Sequence, residues 1–331
     1  MTARSNLRLV MFAVLMIPQN NTAPAQLVSE RSFRFLFYNV ENLFDTKDDT
    51  LTDDSEFLKG GDMHWTESRY RYKINSIYKV LAAAGEWDAP SLAGFCEVEN
   101  KSVLQSLVYD TWLSKYQYGI VMGNSKDPRG IRQGIIYRKD LLKLLFKGNI
   151  EPENSGDFRS RMILYTKWQA GEDTIHLFLN HWPSRRRGVL AEERAREAIL
   201  SSLYNSLDSL DRVSVGTAKI VIAGDFNCTP DDLNIKGMIN LSSVLAEKGE
   251  GTYRYRGKWE MIDQVIVSPG IINSQKGVFT NADMLRIFRP DFLMQKDPAY
   301  PGFVPFPTYR GFNYKGGFSD HLPLILDLRI R

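Results

Sequence analysis

Apolar and polar positions alternate through "SFRFLFYNV", Ser32 to Val40, and aromatics dominate, which predicts a strand ending near Asn39. The period changes at "TESRYRYKINSIYKVLAAAG". Ile74, Ile77 and Leu81 share one helical face, Thr66 is suited to cap the start, and Gly85 can close the end. "SLAGFCEVEN" then reads as a short apolar strand that stops on acids, and "KSVLQSLVYDTWL" as a second helix. Strand-like runs follow in "YQYGIVMG", "QGIIYR", "LLKLLF", "RMILYTKW" and "TIHLFLNHW". The clearest amphipathic helix is Leu190–Leu207. "AKIVIAGDFN" is continuously apolar before its polar end, the pattern of a strand covered on both faces. "TYRYR", "EMIDQVIVS" and "LPLILDLRI" complete the set. Many strands with few intervening helices predict one domain of mixed α and β, with two packed sheets flanked by helices.

Two stretches fall outside this pattern. Arg4 and Arg8 precede the apolar run Leu9–Ile17, and Ala23-Pro24-Ala25 supplies a small-x-small cleavage site. Residues 1–25 therefore read as a secretory signal peptide, followed by a single domain over 26–331. The apolar run is too short to anchor the chain in a bilayer, so export to the periplasm or medium is expected, with no transmembrane anchor in the mature form. The acidic stretch Asp45–Asp62 reads as a surface loop whose acids are solvated, in preference to a cation site.

Composition adds a bound. Of 331 residues, 43% are hydrophobic and 24% charged, as in an ordinary globular protein. Loss of residues 1–25 lowers the formal charge from +3 to +1. A polyanion would then be attracted by a local patch, not by the field of the whole molecule. Cys96 and Cys228 are expected as two buried thiols, and a bridge between them stays open.

The strand ends carry the chemistry. Asn39, Glu97, His181 in "NHWPSRR", Asp225 and Asn227 in "GDFN", and Asp320-His321 each follow an apolar run, and Asp263 lies just inside one. A carboxylate at such a place is costly without a partner. One would be a cap or a turn former, but six such positions predict a shared cleft. Asn39, Glu97 and Asp320 offer oxygen ligands, which suit Mg²⁺ or Mn²⁺ and not zinc. No phosphate-binding GxxxxGK[ST] loop and no GxSxG elbow is present. What remains is metal-assisted attack by water, with carboxylate and imidazole groups moving protons.

The order Asn39, Glu97, His181, Asp225-Phe226-Asn227, Asp263, Ser319-Asp320-His321 resembles the endonuclease/exonuclease/phosphatase superfamily, from about Ser32 to Arg331. The resemblance implies a DNase I-like α/β (α+β) fold, a four-layer sandwich of two mostly antiparallel β-sheets flanked by helices. It implies Glu97 as the main metal ligand, with Asn39 and Asp320 in support. His321 would contact the scissile phosphate and help activate water, with Asp263 orienting its ring. Asp225 and Asn227 would position water and phosphate oxygens. His181 resembles the histidine of DNase I-like nucleases and sphingomyelinases, whereas His64 and His176 read as structural. Arg129, Arg185 and Arg186 are candidate phosphate-binding residues.

These readings predict an exported, Mg²⁺- or Mn²⁺-dependent phosphodiester hydrolase, acting as a monomer without an obligate protein partner. The substrate expected first is DNA or RNA, cut with little sequence preference. Two alternatives stand beside it. One is a sphingomyelinase-like or inositol-phosphate enzyme, in which the aromatic Asp297–Gly317 segment meets a membrane or forms a lid. The other is a binding module for polyanions without turnover.

Overall fold

β1 (Arg31–Leu43) carries apolar side chains on both faces, and both faces are covered. Phe35 and Phe37 point into one hydrophobic cluster, while Leu36, Tyr38 and Val40 belong to another. This is the period-2 alternation of a strand in the middle of a layered structure. The computed structural model describes residues 31–86, 88–152, 162–184, 189–214 and 216–331. The leader expected at residues 1–25 lies outside these, as do Arg185 and Arg186.

After β1 come α1 (Glu67–Gly85), β2 (Leu92–Val98), α2 (Lys101–Tyr109), β3 (Tyr118–Met122), β4 (Arg132–Arg138), β5 (Lys143–Ile150), β6 (Ile163–Ala170) and β7 (Asp173–His181). Then follow α3 (Val189–Ser214), β8 (Lys219–Asp225), β9 (Ile239–Asn240), α4 (Ser243–Glu247), β10 (Tyr253–Tyr255), β11 (Lys258–Glu260) and β12 (Asp263–Val267). The chain closes with β13 (Val278–Phe279), β14 (Leu285–Ile287), β15 (Met294–Lys296), β16 (Phe303–Pro305), β17 (Tyr309–Arg310), β18 (Asn313–Tyr314) and β19 (Leu324–Ile330).

One large sheet has the order β13-β19-β1-β2-β4-β3, with β14 also paired to β19; the other has the order β5-β6-β7-β8-β12-β9. Pairing is antiparallel except at the middle of each sheet, where β1 runs parallel to β2 and β7 to β8. A crossover helix joins each parallel pair, α1 in the first and α3 in the second. The inner faces meet in a core of Phe35, Phe37, Leu177, Leu179, Val221 and Leu326. Ile74, Ile77 and Leu81 of α1 and Leu104 of α2 pack on the outer face of the first sheet. Ile199 and Leu203 of α3 pack against Ile220 and Ile222 on the outer face of the second. The result is the expected four-layer order: helices, sheet, sheet, helix.

Local signals held where side chains set them. Thr66 caps α1, its side chain accepting a hydrogen bond from the Arg69 N–H. Two boundaries differ. β1 continues to Leu43, past the expected end at Asn39, because Glu41 and Asn42 turn left-handed (φ 50° and 52°) and bring Leu43 opposite Val98. α3 also extends well beyond Leu207. No disulfide joins Cys96 and Cys228, and both thiols are buried. In the acidic loop Asp54 is buried rather than solvated, and its Oδ2 accepts from the Asp49 N–H (2.9 Å).

Candidate active site

The second sheet delivers three polar residues in a row. The register sets His181 opposite Asp225 across β7–β8, and Asp225 opposite Asp263 across β8–β12. Side chains opposite one another share a face, so the row projects together. Gly224 makes the close packing possible: a Cβ there would lie 2.3 Å from the Asn180 carbonyl oxygen. From the first sheet, the Ser319–His321 loop swings across. Ser319 Oγ donates to the Asn39 carbonyl (2.7 Å) and accepts from the His321 N–H (3.1 Å), which fixes the loop against β1 at Asn39.

These elements meet around Asp225. His321 Nδ1 is 2.7 Å from Asp263 Oδ2, and His321 Nε2 is 3.9 Å from Asp225 Oδ2. His181 Nε2 lies 3.7 Å from the same oxygen and 3.6 Å from Glu97 Oε1. Asn39 Nδ2 donates to Asp225 Oδ2 (3.0 Å), and the Asn227 N–H donates to Asp225 Oδ1 (2.9 Å). Asp225 is thereby held between two imidazoles.

Glu97 arrives differently. The β1–β2 ladder shifts register between Asn39 and Leu43, and the β2–β4 ladder between Phe95 and Val98. At this break Glu97 has φ 64°, a conformation disfavoured for a residue with a Cβ. Its Oε2 accepts from the Asn42 N–H (2.9 Å), leaving Oε1 toward His181. Arg129 reaches the same corner, its Nη1 donating to Asn42 Oδ1 (3.1 Å).

The electrostatics follow from burial and crowding. Burial pushes Asp225 up to about 7; Asp263 and Glu97 add to the rise, while His321 opposes it. Burial alone would lower the pKa of His321, but the carboxylates of Asp263, Asp320 and Asp225 outweigh it and hold the imidazole well above its ordinary value. Glu99, two residues past Glu97, is raised to about 8 by burial; its Oε2 accepts from the Asp45 N–H (2.6 Å), away from the row.

Asn39, Glu97, His181, Asp225, Asp263 and His321 thus converge as the sequence predicts. Asp320 stands beside His321 (Oδ1 to Nε2, 3.9 Å) with its side chain 43% exposed. Asn227 directs its Nδ2 to the Trp182 carbonyl (2.9 Å), and therefore steadies Asp225 from behind. His64 is exposed, and His176 pairs with the Tyr165 hydroxyl inside the second sheet (2.8 Å).

Four residues near the site escaped the sequence reading. Glu41 accepts from the N–H groups of Thr308 (2.6 Å) and Tyr309 (2.9 Å). Burial and Asp320 raise it to about 7 against the pull of Lys73. Lys73 is buried on α1 and donates to Thr308 Oγ1 and the Phe318 carbonyl; burial lowers it to about 8. Its position three residues after Tyr70, on the apolar stripe, was a legible signal. Arg196 donates to the Asn227 carbonyl (2.6 Å). Tyr253 lies with its ring centroid 5.0 Å from that of His321.

Sequence and structure comparisons agree on the class of molecule. The model of the Endonuclease/Exonuclease/phosphatase family matches residues 34–330, and the chain belongs to that family. As a member it is a metal-dependent phosphoric ester hydrolase of the nuclease and phosphodiesterase type. A truncated Caenorhabditis elegans TDP2 superposes with a TM-score of 0.56 at 14% identity, over 91% of this chain and 98% of that one. D. rerio TDP2 complexed with single strand DNA product gives 0.55 at 14%, over 90% and 98%. An endonuclease/exonuclease/phosphatase from Bacteroides vulgatus gives 0.55 at 14%, over 91% and 100%. A comparison with curated proteins finds no match.

The residues present fit a divalent cation. Burial raises the Asp225 and Glu41 carboxyls, and neighbouring acids add to both rises, Asp263 and Glu97 at the first and Asp320 at the second. Asp263 Oδ1 is buried without a hydrogen-bond partner among the described residues. Glu97, Asp320 and Asn39 carry oxygen donors, the Asn39 Oδ1 accepting from the Glu41 N–H (3.0 Å). Ligand atoms of Asp225, Asp263 and His321 lie within 4.8 Å of one another. Oxygen-rich donors of this kind suit a hard cation.

Proposed function

We propose that this chain is an exported, Mg²⁺- or Mn²⁺-dependent phosphodiesterase that cuts DNA or RNA with little sequence preference. The observation that carries the reading is the meeting of Asn39, Glu97, His181, Asp225, Asp263 and His321 at the ends of strands from both sheets, with Asp225 Oδ2 within 4 Å of both imidazoles. The pattern of residues 1–25 supports export, and the single strand DNA product bound by the D. rerio TDP2 neighbour supports a nucleic acid substrate. When bound, the metal supplies Lewis-acid charge at the phosphate and lowers the pKa of water. Glu97, Asp320 and Asn39 would hold it. Asp263 engages His321 Nδ1, so Nε2 is the ring position offered to a phosphate oxygen. His181 Nε2 offers a second donor on the other side of Asp225. Asp225, aligned by Asn39 and Asn227, is placed to exchange a proton with water or the leaving oxygen. Arg129 binds phosphate without reading sequence.

A single panel tests this: mature protein with Mg²⁺, Mn²⁺ or EDTA, offered plasmid DNA, RNA, sphingomyelin and inositol phosphates. EDTA-sensitive degradation of nucleic acid is expected. Release of phosphocholine or free phosphate with nucleic acid left intact would replace the substrate assignment. Tight nucleic acid binding with no turnover in either metal would end the catalytic reading.

A further inference from the structure

A rigid rim leads away from His321 that the proposed chemistry does not use. Tyr253 forms an isolated bridge with His321, and from there the chain makes the β10–β11 hairpin, turning at Arg256 and Gly257 (φ 47° and 80°). A second turn, between β15 and β16, lies against it. Arg254 joins the two. Its Nη1 donates to the Phe303 carbonyl (2.6 Å), and its Nη2 to the carbonyls of Pro301 (2.6 Å) and Gly257 (3.1 Å). The Asp297 carboxylate stands 3.5 Å away, and the Trp259 ring centroid 5.9 Å away. Tyr300 covers Gly257 so closely that a Cβ there would come within 3.0 Å of its ring. The two turns therefore form one piece.

That piece displays Tyr255, Tyr300 and Phe303, which are 49%, 42% and 56% exposed. Exposed Arg256, Lys258 and Lys296 stand among them, with the Arg256 guanidinium 5.2 Å from the Tyr255 ring centroid. An exposed aromatic cluster beside a cleft marks a binding surface. Alternating rings and cations match a ligand with negative charges and unpaired flat faces along its length, which is single-stranded nucleic acid. A duplex keeps its base faces stacked inside. Among the described residues of this rim no leucine, isoleucine or valine is exposed, and its exposed rings stand among cations. Continuity with the site through Tyr253 sets the direction of the strand.

We infer that the Arg254-stapled rim is a base-stacking platform for the single strand leading away from the phosphate at His321. This rests on the reading of the site as a nucleic acid phosphodiesterase. The test is fluorescence anisotropy in EDTA, with a short oligothymidylate and a duplex of equal length. Tighter binding of the single strand is expected. Tyr255→Ser and Phe303→Ser should each weaken it by about tenfold, and Lys258→Gln should lower the slope of log affinity against log salt by about one. Equal binding of both nucleic acids, or aromatic variants that bind oligothymidylate as the wild type does, overturns the platform. So does a loss confined to binding of phosphatidylserine vesicles, which would make the rim a membrane face. Wild-type turnover of bis(p-nitrophenyl) phosphate reports the hydrolase reading separately. Turnover without single-strand preference sinks the platform alone, whereas absence of turnover with every metal sinks the reading beneath it.

Discussion

The two sheets bring their functional residues to the cleft by opposite means. The β7–β8–β12 side uses an unbroken ladder, and His181, Asp225 and Asp263 face one another because the register puts them there. The β1–β2 side uses a broken one, with Glu41, Asn42 and Glu97 in left-handed conformations and two register shifts beside them. In the proposed reaction the regular side would supply groups that exchange protons and contact phosphate, which need fixed mutual geometry. The irregular side would supply metal-side oxygens, and Glu97 leaves the pleat to face inward. Regular pairing positions groups cheaply along a row, while left-handed residues carry Glu97 out of the pleat.

The contrast can be broken from either side. His181→Ala on the regular side should lower kcat by about 10³-fold, at unchanged metal affinity measured by Mn²⁺ titration. Glu97→Gln keeps an acceptor for the Asn42 N–H yet loses a metal-side charge, so its comparable loss should come with weakened Mn²⁺ binding. If both variants bind Mn²⁺ as tightly as the wild type, the division between the two sides fails.

A smaller effect sharpens the electrostatic difference. In the fold Glu99 sits at about 8, above its ordinary value, because it is buried beside Asp45, Asp54 and Asp49. A raised carboxyl contributes stability at low pH that is lost as pH climbs from its unfolded value through 8. Glu99→Gln should therefore match the wild type at about pH 4 and exceed it at about pH 9, on the order of 2 kcal/mol in urea unfolding. A parallel pH dependence in both proteins would refute this. Smallest is Asn42→Gly, which relieves a left-handed Cβ and should shift stability by no more than about 1 kcal/mol. It also removes the Arg129 partner, so KM should rise in steady-state assays while the unfolding midpoint barely moves. A cost of several kcal/mol would show that the bend is not strained.

Legibility in the sequence follows the same division. Asp225 and His181 were readable because each ends an apolar run, and Asp263 because it lies just inside one. The two-sheet architecture was readable from the number of strands and the doubly buried AKIVIAG run. The left-handed bend at Glu41–Asn42 was not, since nothing in "NVENLFD" shows that the strand resumes at Leu43. Nothing in the sequence marked Glu41, yet it is buried and holds the Thr308 and Tyr309 amides. Lys73 was passed over although it lies on the buried stripe of α1. Its partners Thr308 and Phe318 come from a segment more than 230 residues away, which no local pattern reports.

The first described strand sits between β2 and the last one, and Ser319 Oγ ties the catalytic loop to Asn39 across 280 positions of chain. A ribosome making this protein therefore holds Asn39, Glu97 and His181 for most of the elongation time without the imidazole of His321. The centre is completed only when β19 slides in beside β1, a closure with high sequence separation and correspondingly slow search. On the proposed reading, a chain cut short before residue 321 would lack both the His321 imidazole and β19, and should show no phosphodiesterase activity.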